Sequence, residues 1–161
     1  MTKVAQLRYR VLNMKILILH GPNLNLLGER DKSIYGNETL DFINEKIKEH
    51  AQIKDFEVEI YQSNHEGELI DLIQKKRNST IGMLMNPGGL SHSSIVLHDA
   101  ILDYGKPCIE IHLSNPLKRE EFRHALLTAK ACYGLILGFG WRSYIVGLDA
   151  LINTVSHQKV G

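Results

Sequence analysis

Short apolar runs alternate with stretches of helical periodicity along most of the chain. The first of them, Ile16-Leu17-Ile18-Leu19, is continuously apolar, which is typical of a parallel strand buried on both faces. The second differs, because Phe56, Val58 and Ile60 alternate with more polar residues, and this alternation predicts an edge strand. The pattern predicts strands at 15–20, 56–61, 80–85, 107–112 and 133–138, and helices beginning after Thr39 and at 66–76, 91–104, 118–130 and 142–156.

The alternation of strands with helices predicts an α/β fold with a parallel sheet. Five strands, the second at an edge, fit the flavodoxin-like three-layer sandwich with strand order 2-1-3-4-5. With 161 residues, of which 43% are hydrophobic, the chain has room for one domain, which we place at residues 14–161.

Three of the predicted strands end abruptly in polar clusters, which begin at His20, Asn86 and His112. In an open parallel sheet, ligands bind outside the carboxyl ends of the strands, near the point where the strand order reverses. The connection from Gly21 to Tyr35 is also longer than the roughly two to six residues usual after a strand, which favours a flap over a site. The sequence therefore predicts one crevice, and an enzyme.

Composition narrows the possible partners. Charge is nearly balanced, with 19 Lys+Arg against 18 Asp+Glu, so we expect no nucleic-acid partner, and the apolar runs are too short to predict a membrane span. Cys108 and Cys132 lie among apolar neighbours, which favours free thiols in a reducing cytoplasm, and the His and Cys spacing matches no metal-ligand motif. Residues 1–13 are basic and lack acidic residues; we interpret them as a disordered or optional extension, with a transit peptide as the alternative.

Long motifs around the polar clusters resemble those of the type II 3-dehydroquinate dehydratases. The first is HGPNLNLLG at 20–28, followed by Arg30 and by IYG at 34–36. The motifs that follow, in the family's order, are QSNHEGELID at 62–71, NPGG at 86–89, SHSS at 91–94, EIHLSNP at 110–116, REEFR at 119–123 and GFG at 138–140. The resemblance extends from about residue 14 to about residue 151.

The resemblance implies a hydro-lyase that reversibly converts 3-dehydroquinate into 3-dehydroshikimate by trans elimination of water through an enolate. Such enzymes serve the shikimate or the quinate pathway. The resemblance also implies that no metal and no other cofactor takes part, and that the protein is a homo-oligomer, a dodecamer of four trimers.

The resemblance assigns catalytic roles to four residues. It makes Tyr35 the base, Arg30 its activator and His112 the acid, while Asn23 helps to hold the enolate through a water. An unperturbed phenol ionises only near pH 10, so a tyrosine base needs a positive charge beside it. A unit charge 4 Å away contributes about 1 kcal/mol in water but about 4 kcal/mol at an effective dielectric constant near 20, so we expect activation to require a closed, dry site.

The resemblance also identifies residues that bind the substrate. One of them, Asp99, is expected to reach in from a neighbouring subunit, although His98 stands before it where the family typically has Arg. The remaining contacts are expected from Asn86, His92 and Arg123 to the ring hydroxyls, and from the backbone N–H groups of Leu113 and Ser114 to the carboxylate.

Three other functions are alternatives to an enzyme of this kind. A flavodoxin-like module for a nucleotide or flavin is disfavoured, because no Gly-x-Gly-x-x-Gly or lysine-ended phosphate loop follows the first strand. A receiver-type signalling domain would need acidic residues there, where the chain has His20-Gly21-Pro22. A catalytically lapsed oligomer with a scaffolding role is the third alternative, and the complete set of catalytic residues argues against it.

Overall fold

A single parallel sheet forms the centre of the protein. The structure is a computed structural model and describes residues 15–157, so the predicted extension at 1–13 lies outside the described residues. The strands lie in the order β2-β1-β3-β4-β5, which confirms the predicted topology. Their bounds are β1 Lys15–His20, β2 Glu57–Gln62, β3 Thr80–Asn86, β4 Cys108–His112 and β5 Gly134–Leu137.

Helices cover both faces of the sheet. They are α1 Leu40–Ile53, α2 Glu66–Lys76, α3 Ile95–Tyr104 and α4 Arg142–His157. Helices α1 and α4 contact each other on one face and α2 and α3 on the other, which gives three layers. Thr39 caps α1 as predicted, because its hydroxyl accepts from the Phe42 N–H at 3.2 Å.

The strands of the sheet centre are apolar on both faces because each face meets a helical layer. Along β1, Ile16 and Ile18 belong to the core beneath α1 and α4, while Leu17 and Leu19 belong to the core beneath α2 and α3. All four side chains are fully buried. This is why the continuous apolar run of β1 corresponds to an interior strand. Strand β5 is also apolar, but it forms the second edge of the sheet and its residues are at most half-buried.

Strand β2 is the predicted edge strand. Its Glu59 carboxylate accepts from Lys15 at 3.0 Å and from Lys76 at 2.5 Å. The hydrogen bonds from these two lysines, Lys76 first, lower the pKa of Glu59 to about 2. Charged pairs on the outer strand suit a sheet edge that faces water.

Helix α3 begins later than the sequence predicts. The prediction of a helix over 91–104 is wrong in its first turn, because Gly88–His92 form a 3₁₀ turn and α3 begins only at Ile95. Ser94 provides the reason, since its side chain accepts from the Leu97 N–H at 2.9 Å and so acts as the N-cap.

The predicted helix at 118–130 does not form. Three 3₁₀ turns replace it, at Pro116–Lys118, Glu121–Arg123 and Thr128–Ala131. Tertiary contacts use the polar groups of this segment: the Leu127 N–H donates to the Ser91 carbonyl at 2.7 Å, and the Ala125 carbonyl bonds to His92. These bonds to residues before α3 replace the bonds that a continuous helix would make within itself.

The ends of β1 and β3 approach each other closely. His20 is the register partner of Asn86, and the Gly21 N–H donates to the Asn86 carbonyl at 2.7 Å. A Cβ on Gly21 would lie 2.5 Å from the carbonyl oxygen of Pro87, so glycine is required at this crossing. Two of the three polar clusters therefore meet.

Within residues 15–157, no helix is both long and apolar enough to cross a membrane.

Candidate active site

A cavity of about 260 Å³ lies at the carboxyl ends of β1, β3 and β4. Its volume is just below the range of about 300–1,000 Å³ that is common for drug-sized ligands, so it suits a small metabolite. Nine of the ten residues that the sequence singled out line it: Asn23, Arg30, Tyr35, Asn86, His92, His112, Leu113, Ser114 and Arg123.

Asp99 is the tenth residue, and it lies elsewhere. It projects from α3 with 63% of its side chain exposed, and its carboxylate is 3.1 Å from Nδ1 of His98. Within a single chain Asp99 does not line the cavity, so its expected role in a neighbouring subunit's site stays a prediction.

His20 opens the first polar cluster but does not line the cavity. Its ring is fully buried and lies 2.7 Å from the hydroxyl of Tyr144 through Nδ1 and 2.8 Å from the side-chain oxygen of Asn44 through Nε2. Burial lowers the pKa of His20 to about 4, against the opposing effect of the Asn44 hydrogen bond. His20 is therefore a neutral structural histidine beneath the site.

Tyr35 lies between two arginines. It ends a single helical turn, Lys32–Tyr35, which begins where the Asp31 carboxylate accepts from the Ser33 N–H at 3.0 Å. Nη1 of Arg119 donates to the Tyr35 hydroxyl at 3.0 Å. The guanidinium carbons of Arg30 and Arg119 lie 4.7 Å and 5.5 Å from the centre of its ring. Two positive charges thus face one phenol.

The Tyr35 segment also forms a wall between two cavities. Tyr35 and Arg119 line a second, more open cavity of about 470 Å³, together with Lys118, Trp141 and Arg142 among others. In this conformation the phenol is therefore only half-buried.

His112 is supported from within the protein by Glu110. Both residues are buried, and Nε2 of His112 lies 2.7 Å from a carboxylate oxygen of Glu110. Since a carboxylate oxygen accepts, Nε2 carries the proton of this bond, and Nδ1 is left for the cavity. The tautomer thus follows from the partner that the fold provides.

Glu110 receives further hydrogen bonds. Ser91 donates to one of its oxygens at 2.7 Å, and Thr128 donates to the other at 2.6 Å. The sulfur of Cys132 lies 3.9 Å from the Glu110 oxygen that accepts from Thr128, and 3.6 Å from the sulfur of Cys108. A buried carboxylate needs such a set of donors, because burying an unpaired charge is costly.

The remaining polar residues of the cavity are also held in place. Nδ1 of His92 bonds to the Ala125 carbonyl at 2.9 Å, and the His92 and His112 rings are stacked with centroids 6.5 Å apart. The Asn86 side-chain oxygen accepts from the Gly88 N–H at 3.1 Å. The cavity thus presents groups whose orientation is already set, as a specific binding site requires.

The sequence model of the family described as Dehydroquinase class II matches residues 14–152 of this chain. The chain belongs to this family. It is 53% identical over 145 residues to the 3-dehydroquinate dehydratase of Carboxydothermus hydrogenoformans, covering 90% of this chain and 94% of that protein. The corresponding protein of Dictyoglomus turgidum is 50% identical over 138 residues, covering 86% and 95%.

Solved structures agree with this membership. The type II dehydroquinase of Butyrivibrio crossotus superposes with a TM-score of 0.85 at 46% identity, covering 87% of this chain and 98% of that one. The type II dehydroquinase of Propionibacterium acnes gives 0.83 at 35% identity, covering 86% and 96%. The predicted family and fold are therefore confirmed.

Two residues of this type II dehydroquinase site were not assigned roles from the sequence. Arg119 stands in the REEFR motif, yet the sequence does not indicate that it would contact a phenol 84 residues away. The contact between Glu110 and His112 could have been expected from the sequence. Residues two apart on a strand share a face, and Glu110 precedes His112 by two.

Proposed function

We propose that this protein catalyses the reversible dehydration of 3-dehydroquinate to 3-dehydroshikimate, by trans elimination through an enolate. The relatives named above carry this activity in their names. The observation that supports it most strongly is that one cavity contains both a phenol flanked by two guanidinium groups and a histidine backed by a buried carboxylate. Loss of water next to a ketone needs a base and an acid of this kind.

Tyr35 is the proposed base. As a phenolate it takes the proton beside the ketone, and the electrons of that C–H bond move into the enolate. Arg119, which donates to the hydroxyl, and Arg30, over the ring, both favour the anionic phenol. A charge near 4 Å contributes about 1 kcal/mol in water and about 4 kcal/mol at an effective dielectric constant near 20, so exclusion of water by the 21–36 segment is part of the proposal.

His112 is the proposed acid. It donates its proton from Nδ1 to the departing hydroxyl, which leaves as water when the enolate collapses to the enone. The Glu110 carboxylate, 2.7 Å from Nε2, stabilises the positive charge that the ring carries before donation. This hydrogen bond also prevents the His112 ring from rotating, because it holds Nε2 against Glu110.

Asn23 is proposed to stabilise the enolate oxygen, directly or through a water. Asn23 belongs to the cavity lining, and an amide N–H directed at a developing oxyanion is a common stabilising group.

The substrate carboxylate is proposed to bind the backbone N–H groups of Leu113 and Ser114, which follow β4 and line the cavity. The ring hydroxyls are proposed to contact Asn86, His92 and Arg123. These side chains supply amide, imidazole and guanidinium groups, which suit a polyol.

We also propose a homo-oligomer, a dodecamer of four trimers, in which Asp99 contributes to a neighbouring subunit's site. Its support is the exposed face of α3, where Ile95, Val96 and Leu102 are 67%, 52% and 55% exposed beside Asp99. An exposed apolar patch bordered by polar residues is typical of an interface. Sedimentation of the parent protein and of Asp99→Ala tests the assembly, and titration of the substrate into both tests the shared site. Full substrate affinity in the variant would contradict the shared site.

The protein is further proposed to act in the cytoplasm, in the shikimate or quinate pathway. The free thiols of Cys108 and Cys132 support a reducing compartment.

The activity is tested by adding 3-dehydroquinate to the purified protein and following the ultraviolet absorbance of the conjugated enone. We expect turnover without added cofactor, and the reverse reaction from 3-dehydroshikimate. Absence of turnover by the correctly assembled oligomer would refute the proposed function and favour the scaffold alternative.

A further inference from the structure

Asn23 has an unusual backbone for the residue that begins a helical turn. It precedes the 3₁₀ turn Leu24–Leu26 with φ 68° and ψ −2°, which is left-handed, whereas residues at this position are usually extended and use their side chain to cap the turn. Among residues 15–157, Asn23 and Asp55 are the non-glycine residues in this region of φ. The Asn23 side chain makes no capping hydrogen bond to this turn, and Asn23 lines the cavity.

Asparagine adopts a left-handed backbone more readily than most non-glycine residues, but this conformation still costs free energy, which contacts with the surrounding structure offset. One such contact comes from Asn64, which follows β2. The side-chain oxygen of Asn64 accepts from the Asn23 N–H at 2.8 Å. The segment after the edge strand thus bonds to the backbone of a proposed catalytic residue.

The orientation of the Asn64 amide is fixed by Gln62. Nε2 of Gln62 donates to the Asn64 side-chain oxygen at 3.1 Å and also lies 3.3 Å from the Gly21 carbonyl and 3.4 Å from the Asn25 side-chain oxygen. Because both partners of the Asn64 oxygen are donors, only the oxygen end of the amide fits between them.

The residues on either side of Asn64 are held by the fold. The Ser63 N–H donates to the His20 carbonyl at 3.0 Å, which extends the pairing of β1 with β2 by one residue. The Ser63 hydroxyl accepts from the His65 N–H at 2.9 Å and donates to Glu68 in the first turn of α2. The backbone around Asn64 is therefore held by hydrogen bonds on both sides, although the Asn64 side chain is exposed.

We propose that Asn64 is a positioning residue: supported by Gln62, it holds Asn23 in the left-handed state and so directs the Asn23 side chain into the cavity. This role accounts for the QSN residues at 62–64 of the sequence motif. None of the motif's residues, 62–71, lines the cavity. The inference rests on the proposed role of Asn23.

The test is a double-mutant cycle on turnover of 3-dehydroquinate. Asn64→Ala should lower kcat about tenfold, the equivalent of one hydrogen bond, and change KM less than threefold. Asn64→Asp keeps an acceptor and should restore most of kcat. Asn78→Ala, the same change at another exposed loop residue, should leave kcat unchanged.

The cycle is completed by Asn23→Ala. If Asn64 acts through Asn23, adding Asn64→Ala to that variant should cause no further loss. The same fold loss in both backgrounds, or an Asn64→Asp protein as impaired as Asn64→Ala, would overturn the proposal.

A second readout does not need activity. Amide hydrogen exchange at Asn23 should accelerate about tenfold in Asn64→Ala and stay slow in Asn64→Asp, because the variant loses one hydrogen bond. Unchanged exchange would overturn the positioning role. If the parent protein shows no turnover, the proposed function is refuted. The exchange measurement would still show whether Asn64 holds the Asn23 backbone.

Discussion

The two sides of the cavity are built differently. On one side, His112 and Glu110 project from β4, are buried and are held by short hydrogen bonds. On the other side, Tyr35 projects from a single helical turn in a long connection, is half-buried, and is surrounded by arginine side chains.

This difference matches the two proposed tasks. An acid must be held in one orientation, and a strand in the sheet centre with a buried carboxylate provides that orientation without motion. A phenolate needs positive charge and a low dielectric constant: the two arginines supply the charge, and closure of the 21–36 segment is the proposed means of excluding water. We call these the strand side and the loop side.

The largest effect should come from the loop side. Tyr35→Phe removes the proposed base and should lower kcat about 10³-fold, within the range known for general bases, while affinity for the product changes little. Kinetics and calorimetric titration of the product measure both. Tyr133→Phe, at a tyrosine that is 67% exposed, is the matched control. Near-normal kcat in Tyr35→Phe would remove Tyr35 as the base.

The strand side should respond in stability as well as in activity. Glu110→Gln keeps the shape but replaces an acceptor by an N–H₂ group, so at least one donor among Ser91, Thr128 and His112 would face a donor. We expect the free energy of unfolding to fall by about 2 kcal/mol, together with a loss of kcat. Urea denaturation beside the exposed-site control Glu121→Gln measures it, and equal stability of the two variants would contradict the strand-side description.

The free energy of unfolding should depend on pH because of His20, the buried histidine beneath the site. His20 has a folded pKa of about 4 against an ordinary value of 6.5, so the folded state resists protonation that the unfolded chain accepts. Its contribution is present above pH 6.5 and is lost as the pH falls towards 4, amounting to about 2 kcal/mol between pH 6.5 and 5.

Urea unfolding across this pH window measures the effect. His20→Gln does not titrate, so its stability should fall less steeply over the window. The window lies above the range in which Glu59 titrates, whose pKa is about 2 when folded and whose contribution is lost only as the pH falls below its ordinary value of 4.5. Parallel curves for the parent and His20→Gln would show that His20 does not carry the dependence.

The smallest effect should separate charge from geometry on the loop side. Arg119→Lys keeps a positive charge but loses the planar group that both donates to Tyr35 and lies over its ring. We expect kcat to fall about tenfold with stability nearly unchanged, because the residue is not part of the core. The same exchange at Arg142, whose guanidinium lies 4.8 Å from the Trp141 ring outside this cavity, is the control. A loss of kcat as large as that of Tyr35→Phe would contradict this expectation. It would mean that the Arg119 hydrogen bond, and not its positive charge, activates Tyr35.

Much of the fold could be predicted from local pattern. The continuous apolar run of Ile16 to Leu19 and the alternation at Phe56, Val58 and Ile60 located an interior strand and an edge strand, and together they led to the sheet order. The segment at 118–130 could not be predicted in this way. Its periodicity is helical, but its backbone bonds to Ser91 and His92, whose positions depend on the folded chain.

The candidate site divides in the same way. The strand ends placed Asn86 and His112 at one sheet edge, and the motifs identified Tyr35 and Arg30. The sequence did not indicate that Arg119 would donate to Tyr35, or that His20 would be a buried structural residue while its neighbour Asn23 lines the cavity.

The sequence by itself determined the order of the strands, the sheet edge at which polar groups gather, and the family, because these depend on local periodicity and on contiguous motifs. Only the tertiary structure decided which arginine contacts the phenol, which carboxylate supports His112 and which asparagine holds Asn23. Those pairs are distant along the chain, and a hydrogen bond forms only when packing brings donor and acceptor within about 3 Å of each other.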